Sequence, residues 1–239
     1  MSSKNGREPL LTSGEAVERP TRAVAIFDAG LVDYAPLRAA LAECGAPSFV
    51  TSHRIEMLDA AALIIPDGPS FADYRRVFAQ KRLAQIIELR IAGGRPVLVC
   101  GSGMHMLCDG VDINGEFLAS PAPQWEGTVV HMPAQRGTAT LHVPIPTPFL
   151  AGIDTMNCEV KPDFALRTNP AEGMDDGPLT PPRIAWAGPP APYIAAIDNG
   201  ALCACAWAPE EAGNLGLRLL RNWVQHAKIT ADLSMGGVQ

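Results

Sequence analysis

Along the first half of the chain, short unbroken apolar runs alternate with longer stretches in which apolar residues recur at helical spacing. The runs at 23–27, 48–51, 61–65 and 95–100 read as strands, because continuous apolar character over strand length suits a sheet covered on both faces. Between them, Leu37 and Leu41 mark one face of a helix that stops at Cys44-Gly45, and the stretch 74–91 predicts a longer helix closed by Gly93-Gly94. Strand and helix in this alternation imply a mostly parallel sheet with helices on both sides. The fourth strand runs into Gly101-Ser102-Gly103, a sharp turn into a helix beginning near Met104, which is the geometry of a nucleophile elbow.

Past the elbow the pattern loosens. Short alternating runs at 138–143 and 157–161 predict antiparallel strands. The segment 175–192, with GPLTPP and GPPAP, is too rich in proline for regular structure and is expected to be a surface loop. Apolar strands follow at 193–197 and 202–207. A closing helix at 213–227 then carries Leu215, Leu219, Leu220 and Trp223 on one face, which should pack on the sheet.

Composition narrows the class. A chain of 239 residues that is 47% hydrophobic and 18% charged can bury one large α/β core. The net charge of −6 comes without a run of like charges or a basic cluster interleaved with aromatics, so nucleic acid is not an expected partner. The apolar runs are too short to span a membrane, and the polar segment 1–22 lacks the apolar core of a secretory signal. Residues 1–22 are therefore read as a flexible tail, 229–239 as a second tail, and the protein as cytoplasmic. The cysteines show no CxxC pair, so reduced thiols are expected and neither a metal nor a cofactor is implied. Cys203-x-Cys205 lies in an apolar run and reads as two small buried side chains.

Five stretches carry a family likeness when taken in order: AIFDAG, IIPDGPSF, RPVLVCGSGMHMLCDG in its strand-elbow-helix setting, PFLAGI, and APEEAGNLGLRLLRNW. Over residues 23–228 the chain resembles the class I (triad-type) glutamine amidotransferases, most of all the glutaminase subunit of imidazole glycerol phosphate synthase. The resemblance implies an α/β flavodoxin-like fold with a central, mostly parallel sheet flanked by helices and some antiparallel strands in the second half. It also implies a synthase-like protein partner and a small-molecule ligand such as glutamine. In that family an elbow cysteine attacks the side-chain amide, a histidine moves protons and a carboxylate orients the histidine. Backbone N–H groups beside the nucleophile and on a glycine-rich loop hold the oxyanion.

Mapped onto this sequence, the family's machinery is degenerate. The nucleophile position is Gly101, the base position is Ala208, and only the orienting carboxylate, Glu210, remains. The oxyanion loop falls on Pro66-Asp67-Gly68-Pro69, and Pro69 has no N–H to donate. Asp67, Gly68, Ser102 and His105 are the expected remnants of the substrate pocket. Cys100 and Ser102 flank the lost nucleophile and are weighed as replacements. Cys100 otherwise reads as a buried strand-end thiol, and Ser102 as a cap on the following helix. His105 stands where the family has Gln and reads as structural or substrate-facing, while nothing fixes His131 or His142 near Gly101. Glu210 reads as a helix-capping carboxylate. The expected function is that of a pseudo-glutaminase acting as a binding or regulatory subunit; the alternative is a diverged but active glutaminase supplying ammonia to a synthase.

Overall fold

The computed structural model of the chain describes residues 22–68, 70–132, 138–159, 162–172, 174, 180–189 and 192–228. All of the expected tail at 1–22 except Arg22, and the tail at 229–239, lie outside the described residues, as do Pro69 and part of the proline-rich segment.

The apolar runs of the first half become β1 (Val24–Phe27), β2 (Ser48–Thr51), β3 (Ala62–Ile65) and β4 (Val97–Cys100). They pair in parallel in the order β2-β1-β3-β4, and β13 (Leu202–Cys205) joins β4, also in parallel. Antiparallel strands then extend the sheet: β12 (Tyr193–Asn199), β11 (Arg183–Ala187), β8 (Ala139–His142) and β9 (Asn157–Cys158). The result is the expected α/β architecture, a large mostly parallel sheet with helices and an antiparallel flank. β1, β3, β4 and β13 are fully buried, which is why they read as continuous apolar runs.

Helices α1 (Ala35–Glu43) and α6 (Gly213–His226) match their periodic stretches, and α6 buries Leu215, Leu219, Leu220 and Trp223 as expected. Asn222, also buried on α6, donates to the carbonyls of Phe149 and Ala151 at 2.9 and 2.7 Å, so the PFLAGI segment is tied to the closing helix. Among the described residues no helix is long and apolar enough to cross a membrane.

Three expectations are corrected. The single helix predicted at 74–91 is two, α3 (Phe71–Lys81) and α4 (Leu83–Ala92), broken at Arg82 with φ +53°. A continuous helix would carry the stripe of Phe71, Tyr74 and Phe78 on to Arg82 and Gln85; the break brings Leu83, Ile86 and Ile87 into the core instead. The proline-rich loop expected at 175–192 contains strand β11, because its Arg183–Ala187 stretch pairs with β12 and bulges between Ala185 and Trp186. The prolines flank this strand and do not interrupt it, so they remove none of its ladder hydrogen bonds.

The third correction is a second sheet that the sequence pattern did not reveal. Strands β5 (Gly110–Ile113), β6 (Glu116–Ala119), β7 (Thr128–His131) and β10 (Phe164–Leu166) run in the order β10-β7-β5-β6. The short helix α2 (Arg54–Asp59) is likewise new. Each of these elements is brief, and β6 is mostly exposed, so neither helical nor strand periodicity has room to show.

Candidate functional site

Chain topology gathers the site at the carboxyl edge of the parallel strands, the usual place for ligands in open α/β sheets. Asp67 and Gly68 follow β3, Gly101 follows β4, and Ala206 to Ala208 follow β13. Together with the start of α3 and the β10 strand they line a cleft of about 500 Å³.

Gly101 sits at the apex with φ +53° and ψ −125°, a backbone conformation that costs a side-chain-bearing residue about 1–3 kcal/mol. The strained elbow is thus kept, and α5 (Ser102–His105) starts directly from it. The glycine is not merely tolerated there. A Cβ built on Gly101 would fall inside van der Waals contact of Asp67 Cγ and both carboxylate oxygens. The space that a side chain at position 101 would need is occupied by the Asp67 carboxylate.

That carboxylate is firmly held. Asp67 Oδ1 accepts from the backbone N–H of Ser102 at 2.8 Å and of Gly68 at 2.7 Å, and lies 2.9 Å from the Ser102 hydroxyl. Ser102 Oγ in turn accepts from Gly68 N–H at 2.8 Å and lies 3.0 Å from the Gly68 carbonyl. One donor stands beside the elbow apex and the other on the loop after β3, so the Asp67 carboxylate occupies backbone N–H groups from both. Tyr74 holds the loop in place by donating to the Pro66 carbonyl at 2.6 Å, its ring packed beside Gly68. Upstream of Tyr74, Ser70 caps α3 by accepting from Asp73 N–H.

The remaining sequence-selected residues fall as follows. Ser102 does not cap α5, whose start has no side-chain cap; its hydroxyl is committed to the Asp67–Gly68 loop. Cys100 is a buried strand-end thiol, as read from the sequence, and burial pushes its pKa well up, with the neighbouring Cys205 adding to the effect. Ala208 lines the cleft with no side chain capable of proton transfer. Glu210 lies in a 3-10 turn, Pro209–Glu211, and not at the first turn of α6, which begins after Ala212 without a side-chain cap. The capping role expected for it is therefore replaced by a half-buried carboxylate. Its Oε2 has no partner among the described residues, and burial raises its pKa. His131 packs edge-on against Phe164, and His142 lies 3.7 Å from Asp154 at the surface; neither lines the cleft.

His105 does line it. It is 7% exposed, Nε2 has no partner among the described residues, and burial lowers its pKa to about 4 against the opposing pull of Asp67 and the Phe164 carbonyl. A histidine whose folded pKa lies below its unfolded value stabilises the fold fully above about pH 6.5, and that contribution is lost as pH falls through about 4. The difference corresponds to roughly 3 kcal/mol. Denaturant titrations should therefore show stability falling over this window in the native protein and a flatter profile in His105→Gln; equal slopes would remove the assignment.

Sequence reasoning missed Trp207, Phe71, Phe164 and Asp163 as lining residues. Trp207, next to Ala208, and Phe71, the last residue of the IIPDGPSF stretch, carried a local signal. Among the described residues no three His, Cys, Asp or Glu side chains converge as a metal site.

The strand order, the elbow conformation and the loop after β3 define a class I glutamine amidotransferase fold. A crystal structure of a glutamine amidotransferase superposes with a TM-score of 0.63 at 17% identity, covering 86% of this chain and 99% of the other. PurLQS from Thermotoga maritima does so at 0.59 and 16% identity, covering 86% and 97%. No family model matches the chain. The chain is, however, 31% identical to the imidazole glycerol phosphate synthase subunit HisH of Thermobifida fusca strain YX, over 84% of this chain and 97% of that protein. It is 30% identical to the same subunit of Corynebacterium glutamicum, over 86% and 99%. The chain belongs to the HisH family of glutamine amidotransferase subunits.

Proposed function

We propose that this protein is a HisH-type subunit that no longer releases ammonia from glutamine and serves instead as a binding or regulatory subunit of a synthase-type complex. The observation that carries the reading is the Asp67 carboxylate seated on the Ser102 and Gly68 N–H groups, in the space a nucleophile at position 101 would need. Loss of the thiol and of the histidine at position 208 removes nucleophile and base, and the seated carboxylate removes the third component, a free oxyanion site. The intact elbow and sheet edge support retention of the scaffold for association, in keeping with relatives that are named as synthase subunits.

The test is ammonia release from glutamine by the purified chain, alone and together with the synthase subunit it co-purifies with. No release above the uncatalysed background is expected in either case. Turnover that disappears on Cys100→Ala or Ser102→Ala would sink the reading.

A second check concerns the thiols. None of the six cysteines forms a disulfide, and all are buried. Since thiolate character and access govern reactivity, the folded protein should react with a glutamine-derived electrophile or a disulfide reagent only on the timescale of unfolding. Rapid labelling of one cysteine, located by mass spectrometry, would indicate a relocated nucleophile.

A further inference from the structure

Away from the elbow, the antiparallel flank of the large sheet holds a second cleft, of about 300 Å³, which shares no lining residue with the first. Three segments build it. The exit of β8 supplies Ile145, the start of β11 supplies Arg183, Ile184 and Trp186, and the turn after β10 supplies Asn169 and Glu172. A cavity of this size has room for one small molecule.

The walls combine apolar surface with unused polar groups. Ile184 and Trp186, two apart on β11, turn to the same face of the strand, and Ile145 lines the same space while 49% exposed. Arg183, the first residue of the strand, is half-buried in the wall, yet its guanidinium has no hydrogen-bond or ion-pair partner among the described residues. Glu172 is exposed, and its carboxylate is equally without a partner there. Its backbone is fixed: Glu172 N–H donates to the Asn169 carbonyl at 3.1 Å, and Ala171 N–H to Asn169 Oδ1 at 3.0 Å. The indole N–H of Trp186 has no partner among the described residues either, and unlike those of Trp125, Trp207 and Trp223 it is open to solvent.

Opposite charges attract across so small a space, yet Arg183 and Glu172 do not pair with each other. A cation and an anion thus line one cleft with apolar surface between them, which is complementary to a zwitterion. We propose that this cleft binds a free α-amino acid with an apolar side chain. The Arg183 guanidinium donates to the ligand's carboxylate, for which its planar fork is suited. The Glu172 carboxylate accepts from the ligand's ammonium, and the side chain is buried against Ile145 and Trp186. Because the two clefts are separate, the proposal does not depend on whether glutamine is cleaved.

Leucine is the probe, compared by calorimetric titration of the full chain at neutral pH with isocaproate, which lacks the ammonium, and isoamylamine, which lacks the carboxylate. Leucine should bind saturably at one site, and each of the others at least about tenfold more weakly. Arg183→Gln and Glu172→Gln remove no side-chain contact of the fold, so both should melt like the native protein while weakening leucine by about tenfold or more. The two differ in kind: Glu172→Gln should abolish the preference for leucine over isocaproate, and Arg183→Gln the preference over isoamylamine. Location is read from acrylamide quenching. Three of the four tryptophans are buried, so the quenchable fluorescence belongs to Trp186, and leucine should protect it. The proposal is overturned by the absence of saturable leucine binding up to about 10 mM, or by either analogue binding as tightly as leucine. Binding that either charge variant leaves unchanged, or that gives Trp186 no protection, overturns it as well.

Discussion

Gly101→Cys combined with Ala208→His should yield a protein that still does not cleave glutamine, and adding Asp67→Gly should be what turns activity on. The double variant restores the side-chain types of the nucleophile and base, whose loss ordinarily costs several powers of ten. It does so against a carboxylate that already fills the thiol's place. A thiol forced against Asp67 faces a like charge on ionisation, which raises its pKa and lowers the thiolate fraction. The oxyanion donors at Ser102 and Gly68 also stay occupied, and one such donor is worth about 10²–10³ in rate. The triple variant should therefore exceed the double by at least about a hundredfold in ammonia release. Both should unfold at lower denaturant than the native chain, since a non-glycine residue at φ +53°, ψ −125° costs about 1–3 kcal/mol. Equal activity in the two variants would show that Asp67 obstructs nothing.

The second large effect is expected far from the cleft. Arg90 on α4 is fully buried, with no carboxylate bonded to it among the described residues. Its Nη1 donates to the carbonyls of Met57, Leu58 and Ala60 at 2.8, 3.1 and 3.0 Å, and Nη2 to those of Pro96 and Ala61 at 3.0 and 3.4 Å. These carbonyls belong to the end of α2, the entry to β3 and the entry to β4, so one guanidinium fastens the beginnings of two adjacent parallel strands. Burial lowers its pKa to about 10, which leaves it charged at neutral pH. Arg90→Met removes the donors and strands several buried carbonyls, each a cost of about 1–3 kcal/mol. Some will find water, so a net loss of at least about 3 kcal/mol is expected, or a fall in melting temperature of roughly 6–12 °C. A shift below about 2 °C would mean that water replaces the side chain without penalty.

Arg90 also illustrates what local pattern conceals. In a helix with apolar residues at 3.6 spacing an arginine reads as a solvent-facing residue, and only the convergence of three chain segments gives it five carbonyl partners. The break at Arg82 was hidden for the same reason: it depends on which face the core presents. β11 was masked by its flanking prolines, and it is strand because β8 and β12 offer it edges on both sides.

The sequence by itself determined the parallel half of the sheet, the elbow, the closing helix and the absence of a thiol at Gly101 and an imidazole at Ala208. Those features depend on contiguous residues: buried strands must be apolar throughout, and a missing side chain is missing in any fold. The tertiary structure alone decided what became of the vacated site. Asp67 and Ser102 are distant in sequence, and only the parallel pairing of β3 with β4 brings the loop after one strand against the turn after the other. In the sequence Asp67 is a departure from the loop of the family it resembles; in the fold its carboxylate seats on the Gly68 and Ser102 N–H groups beside Gly101.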